Sequence, residues 1–311
     1  MNYSDFFLTL ISFCIGYFLY LLTIPKLKKF LLDKPNTRSS HVVPTPRGGG
    51  IIFVTLGVIG SIKYNFILPM VCFPLSIVGF IDDRYSISRI MRYFIQIFTV
   101  IFLINSSELK IFTNSLFWDI VFQLILIIAL TAIINFVNFM DGIDGLVAIS
   151  MVLYILIFSF VVSPGLLPLL GALISFLLFN WSPAKVFMGD VGSTFLGAIF
   201  AGMLLEFPSW HDSLAFLLIA FPLFADAFIC VCRRFLAKEN IFKPHKKHLY
   251  QRLVSSKKLT HSIVALLYLS LSVFCYLSLI LGGLNFLLIS CVIVAIIGVL
   301  LDRKFADPFY L

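Results

Sequence analysis

Three groups of carboxylates break an otherwise apolar chain: Asp82-Asp83, the pair Asp141 and Asp144, and Asp190. Acids at the ends of membrane spans are costly to keep there and seldom idle. Converging on one face, hard oxygen donors of this kind would suit a divalent cation and a phosphorylated substrate. Adjacent Asp82 and Asp83 repel one another and raise each other's proton affinity unless a cation compensates. Asp141 and Asp144 stand three apart, on one side of a helical turn, with Asn138 one turn earlier. Gly142 and Gly145 leave the backbone beside them open to a ligand. In the run from Asn180 to Thr194, Gly189 and Gly192 bracket Asp190, and Ser193 and Thr194 could cap the next helix or meet phosphate oxygens at its N-terminus. Asp and Asn without Cys point to Mg²⁺, with Mn²⁺ as the substitute, rather than to zinc.

Cationic groups form two further clusters. His245, His248 and Arg252 have spacings of three and four, so a helix would present them as one stripe able to meet phosphate or sugar. His-x-x-His alone is a weak zinc signal, since no third ligand stands nearby in sequence, and Lys246 and Lys247 read equally well as a solvated positive stretch. The Pro- and Gly-rich run Asn36–Gly50 places Arg47 beside three glycines, where it can reach a phosphate, although neither a Walker loop nor a dinucleotide fingerprint is present. Asp226, two turns before Arg233, reads as a structural ion pair. The six cysteines lie in apolar stretches and read as small hydrophobes.

The elements that must position these residues are membrane helices. Of 311 residues, 60% are hydrophobic and only 12% charged, too little polar surface for a soluble domain. Apolar runs predict an all-α polytopic protein of about eleven spans, with cores near 5–24, 48–62, 66–81, 92–104, 117–137, 146–162, 166–179, 194–206, 214–232, 262–281 and 286–301. Several are shorter than a full span and would borrow flanking residues. If the loops alternate sides, one face receives 25–47, 82–92, 138–145, 180–193, 233–261 and the tail from 302. That face holds 21 of the 23 Lys and Arg residues. Retention of positive charge inside makes it cytoplasmic, with the N-terminus periplasmic and the C-terminus cytoplasmic. The +8 net charge therefore reports orientation and not nucleic-acid binding. The first apolar run lacks a basic n-region and a cleavage site and reads as a retained helix. The whole chain, 1–311, reads as one integral-membrane domain whose active site is built from the cytoplasmic loops.

Five ordered segments resemble the polyprenyl-phosphate N-acetylhexosamine-1-phosphate transferase family: Arg38-Ser-Ser-His41 through Thr45-Pro-Arg-Gly-Gly-Gly50, Asp82-Asp83, Asn138–Gly145, Val186–Ser193, and His245-x-x-His248-Leu-Tyr-Gln-Arg252. His245-Lys-Lys-His248 stands where the peptidoglycan branch carries consecutive histidines, and Arg47 where that branch has an apolar residue, so the resemblance is to the O-antigen and enterobacterial common antigen branch. It implies transfer of a sugar 1-phosphate from a UDP-N-acetylhexosamine to undecaprenyl phosphate, releasing UMP, at the cytoplasmic side of the bacterial inner membrane. It also implies Mg²⁺ at Asn138 and Asp190, Asp141 and Asp144 close to metal and diphosphate, and Asn180 and Phe187 near the uracil. His245, His248 and Arg252 would read the sugar and diphosphate, and Asp82 and Asp83 would be the pair acting on the lipid phosphate. A homodimer is compatible with the family.

Charge decides between mechanisms. A phosphate monoester has a second pKa of about 6 and is largely dianionic at neutral pH, so Asp82 is expected to position or to act electrostatically more than to abstract a proton. A cation-coupled transporter would carry its acids near the bilayer midplane in two similar halves, a pattern absent here. A non-catalytic assembly scaffold would have no reason to keep all five acids.

Overall fold

The computed structural model describes residues 3–35, 43–85, 87–107, 109, 115–240, 243 and 245–309. The chain folds as α1 (Tyr3–Phe30), β1 (Leu32–Asp33), β2 (Thr45–Pro46), α2 (Gly50–Ser61), α3 (Leu68–Tyr85), α4 (Arg89–Ser106), α5 (Leu116–Met140), α6 (Leu146–Val161) and α7 (Leu167–Asn180). It continues as α8 (Gly189–Leu205), α9 (Trp210–Ile219), α10 (Phe221–Leu236), α11 (Leu249–Ser255) and α12 (His261–Lys304). Lipid offers no partners to backbone amides, so apolar segments satisfy their own as helices. Among the described residues the departure from an all-α chain is the antiparallel pairing of β1 with β2, two residues each.

Each expected apolar segment falls on a helix. The segment 214–232 is α9 and α10, bent by 79° where they join. The last two segments are the arms of α12, which breaks at Gly282 and Gly283; Gly283 has a φ of 64°, open to glycine and strained for other residues. By length and composition α1, α4, α5 and α12 can each cross a membrane, and the α9–α10 pair makes a fifth. α2, α6, α7 and α8 are apolar but shorter than the about 20 residues of a straight span. Large side chains such as Phe6, Phe18, Leu124, Ile128, Ile289 and Val292 stand exposed along α1, α5 and α12. A belt of that extent belongs in lipid, and the chain is a multi-pass membrane protein.

The centre is α8, buried at every residue from Val191 to Leu205. A helix apolar all round belongs in the middle of a bundle, and α8 packs among α2, α3 and α5. Small residues allow the approach. A Cβ on Gly79 of α3 would lie 2.5 Å from the Asp190 carbonyl, so the first turn of α8 rests directly on α3 backbone. Farther along the bundle, Gln96 and Asn135 exchange amide hydrogen bonds of 3.2 and 2.8 Å, tying α4 to α5. Ser88 and Thr260 cap α4 and α12 by accepting the amides of Met91 and Ile263.

The Gly79 contact predicts that Gly79→Ala costs about 1–3 kcal/mol, because the colliding atoms are backbone and cannot rotate away. Gly298→Ala, whose added carbon meets nothing within 4 Å, serves as the comparison. Thermal unfolding in detergent should show a lowered midpoint for the first substitution and an unchanged one for the second.

Candidate active site

The α3–α8 contact brings two of the acidic segments together. Asp83, at the end of α3, receives the backbone amides of Asp190 and Val191 at 3.1 and 3.4 Å, so one carboxylate caps the N-terminus of α8. Gly189 sits at φ 72°, and a Cβ there would meet the Asp83 carboxylate at 2.3 Å, which explains the glycine before Asp190. Arg92 then bridges the next two acids: its Nη1 donates to Asp82 Oδ2 at 2.7 Å and to Asp190 Oδ2 at 2.9 Å. The other oxygen of Asp82 accepts the Ile87 amide at 2.6 Å. Sequence reasoning placed Arg92 only among the loop's positive charges; its position one turn inside α4, ten residues beyond Asp82, was the available signal.

The third segment follows the end of α5. Helix stops at Met140, and Asp141 and Asp144 occupy a turn, not the helical face their spacing suggested. Burial raises the proton affinity of Asp141 well above the usual carboxylate value, and the charges of Asp190, Asp83 and Asp144 push it further, against Arg47. Asn138 Oδ1 accepts from Ser193 Oγ at 3.3 Å, a proton Ser193 shares with the Gly189 carbonyl at 3.2 Å. Asp144 is committed elsewhere. Its Oδ2 accepts the Ala184 amide at 3.2 Å and lies 3.2 Å from His261 Nδ1, at the first turn of α12. Burial alone would raise its pKa, yet the hydrogen bond and charge of His261, with Ala184 and Ser182, hold it below the ordinary value. His261, which sequence reasoning missed for want of a motif, anchors Asp144 away from the other acids.

Backbone bonds lace the glycine-rich loop to the segment before α8. Phe187 N donates to Pro46 O at 2.8 Å, Gly49 N to Phe187 O at 2.9 Å and Gly50 N to Met188 O at 3.0 Å. The main chain of Phe187 therefore fixes Arg47 near the acids, and Arg47 Nη2 pairs with Asp33 Oδ2 at 2.7 Å while remaining partly open to solvent. Asn180 is buried. Its Oδ1 accepts the Gly145 amide and its Nδ2 donates to the Val186 carbonyl, both at 3.0 Å, so it joins two loops. Arg38 through His41 fall outside the described residues.

The basic segment differs most from its expected geometry. α11 begins only at Leu249, so His245 lies in a loop, His248 at the helix cap and Arg252 inside, and the single helical stripe does not form. The rings of His245 and His248 stack instead, with centroids 5.0 Å apart. Burial, with His248, Arg234 and Lys247 nearby, pushes His245 down to about 3, and burial with Arg234 and Arg252 does the same for His248, which favours neutral rings. Arg252 is 5% exposed, with Nε on Lys247 O, Nη1 on Asp307 O and Nη2 on Asp302. It holds the loop to the C-terminal segment, with one N–H of each nitrogen engaged. Asp226 does not pair with Arg233, which bonds to Asp302 at 2.9 Å. Asp226 accepts the amides of Leu249 and Tyr250 at 2.7 and 3.0 Å and the Tyr268 hydroxyl at 2.7 Å, capping α11. Tyr250 in turn donates to Phe139 O at 2.8 Å, pinning α11 over the Asp141 turn.

The arrangement brings Asp82 and Asp190 to one guanidinium and Asp83 to the first turn of α8, with Asp141 in electrostatic contact with Asp190 and Asp83 and two arginines at the margin. Its donor set is entirely oxygen, and the unrelieved repulsion at Asp141 is what an added cation would remove, so the residues fit a hard divalent ion.

Comparison with known proteins agrees with this geometry. Residues 65–207, spanning the paired aspartates through α8, match the family model described as Glycosyl transferase family 4. The chain is 26% identical to a Bacillus subtilis protein named "Probable undecaprenyl-phosphate N-acetylglucosaminyl 1-phosphate transferase", over 79% of this chain and 77% of that one. It is 27% identical to the undecaprenyl-phosphate alpha-N-acetylglucosaminyl 1-phosphate transferase of Thermotoga maritima, over 75% of each. A phospho-N-acetylmuramoyl-pentapeptide-transferase of Wolbachia matches at 29% identity over 60% of this chain and 70% of its own. Over residues 65–207 the chain is thus similar to glycosyl transferase family 4, and over three quarters of its length to polyprenyl-phosphate N-acetylglucosamine 1-phosphate transferases.

Proposed function

We propose that the protein transfers N-acetylhexosamine 1-phosphate from a UDP-sugar to undecaprenyl phosphate, releasing UMP and leaving a lipid-linked diphosphate sugar. The observation that carries this reading is the meeting of Asp82, Asp83 and Asp190, from two distant segments, around Arg92 and the N-terminus of α8. Such a centre suits the bringing together of two phosphorylated anions, where the largest task is neutralisation. Asp190 and Asn138 would hold Mg²⁺, with Asp141 and Asp83 beside it. Bound there, Mg²⁺ would neutralise diphosphate oxygens and the charge of the transferred phosphoryl group.

The chain's own residues position the reactants. With both oxygens of Asp82 engaged by Arg92 and Ile87, that carboxylate orients the guanidinium toward the centre and needs no proton from a phosphate that is already a dianion. Arg47 is placed to meet a diphosphate, and Asn180 holds the loops around it. Of His245, His248 and Arg252, His245 is the least buried, with the other two supporting it from behind. The names of two relatives favour N-acetylglucosamine as the sugar. Arg47 and the His-Lys-Lys-His pattern favour initiation of O-antigen or a related surface polysaccharide over peptidoglycan. The asymmetry of basic loops supports eleven spans with the centre facing the cytoplasm of a bacterial inner membrane.

Three measurements test the reading. Asp190→Ala should lower UMP release from a UDP-sugar by about 10²–10³-fold while folded protein is retained, and chelation should abolish release from the unaltered protein. Asp82→Asn should show a deficit that persists as pH rises; recovery at high pH would instead assign Asp82 as a base. Because Asp141 binds its proton unusually tightly, protons compete with the cation, and the Mg²⁺ concentration giving half-maximal rate should fall as pH is raised toward and past neutrality.

A further inference from the structure

The basic loop contains a second cluster, whose third member is remote in sequence. Cys230 on α10 comes up against His245 and His248, and one ligand atom from each lies within 4.8 Å of the others. Cys230 and His248 are 3% and 2% exposed. Nδ1 of His248 is buried without a hydrogen-bond partner, an expensive state for a polar atom. Asp226 Oδ1 stands 3.8 Å from it, too far for a hydrogen bond, and is already taken by the Leu249 amide. Neither helix capping nor the proposed transfer accounts for two stacked imidazoles against a thiol.

We propose that Cys230, His245 and His248 bind a borderline-soft divalent cation of the Zn²⁺ type, with a fourth position open. One sulfur and two nitrogens form a donor set that selects against Mg²⁺, so the chain carries two cation centres of opposite chemistry. Bond lengths of about 2.0–2.3 Å give ligand separations of about 3.5 Å in a tetrahedral site. The cluster therefore has to contract by at most about 1.3 Å, and His245, half-buried in a loop, is the ligand able to move. That movement gives up the hydrogen bond from Lys247 N to His245 Nδ1, 3.1 Å long. Binding releases the Cys230 proton, and the ion enters through a cavity of about 110 Å³ lined in part by Cys230, Asp226, Lys247 and Arg252. A His245 held by the ion is withdrawn from the donor-binding face, which makes the site inhibitory. Only this last step rests on the transferase reading; binding itself does not.

Full-length protein in detergent, equilibrated with Zn²⁺ and desalted, should retain about one equivalent by elemental analysis. Cys232→Ser, which alters the neighbouring thiol outside the cluster, should retain it, and Cys230→Ser should lose it. Co²⁺ in place of Zn²⁺ should give a thiolate-to-metal charge-transfer absorption that Cys230→Ser abolishes. Absence of retained zinc in the unaltered protein, or retention and the cobalt band in Cys230→Ser, overturns the proposal. If Cys230→Ser does not fold, His245→Ala, in the half-buried loop, decides: it should lower retained zinc and shift the cobalt band, and unchanged retention and band overturn the proposal. Inhibition by Zn²⁺ that Mg²⁺ does not reverse is expected; an active, zinc-loaded protein would remove the inhibitory role while leaving the site.

Discussion

The site depends on where the N-terminus of α8 points. Its free amides would be costly anywhere away from water, and Asp83 satisfies two of them with one carboxylate. That bond fixes Asp190 in the first turn, directs its side chain to Arg92 and through Arg92 engages Asp82. The cap is possible only because Gly79 and Gly189 let backbone and carboxylate approach where any Cβ would collide. A single helix start thus organises acids that lie more than a hundred residues apart.

Around it, each loop is held by bonds that leave few groups free. Asn180, Asp144 and Arg252 have polar atoms bonded to neighbouring backbone or side chains, which keeps the short segments between helices in fixed relation. Preorganisation of this kind lowers the reorganisation that charged reactants would otherwise demand.

Much of this was legible in the sequence because lipid enforces a simple code. Apolar runs became helices, and the expected segments fell on them, down to the glycines that divide α12. The acids were found because charge at a span end has few other uses. What escaped was pairing across distance. Arg92 has no spacing that links it to Asp190, and His261 none that links it to Asp144; only the α4–α8 and α6–α12 contacts make those bonds. The spacing of His245, His248 and Arg252 suggested a helix, but the amide capping by Asp226 starts that helix at Leu249 and leaves His245 outside it. Asp226 and Arg233 share a helix face, yet each found a better partner on another element. Periodicity describes neighbours along one helix and says nothing about which helix end lies opposite.

The last turn of α12 adds a mechanical relation. Asp302 receives Arg233 from α10 and Arg252 from α11, and beyond it Phe309 lies under the guanidinium of Arg233 at 4.0 Å, with Lys247 and Arg252 nearby. The histidine-bearing loop is therefore braced against the end of a membrane helix instead of hanging from flexible chain. Its height above the lipid is set by how far α12 emerges, so the thickness of the surrounding bilayer becomes one of the dimensions of the loop's geometry.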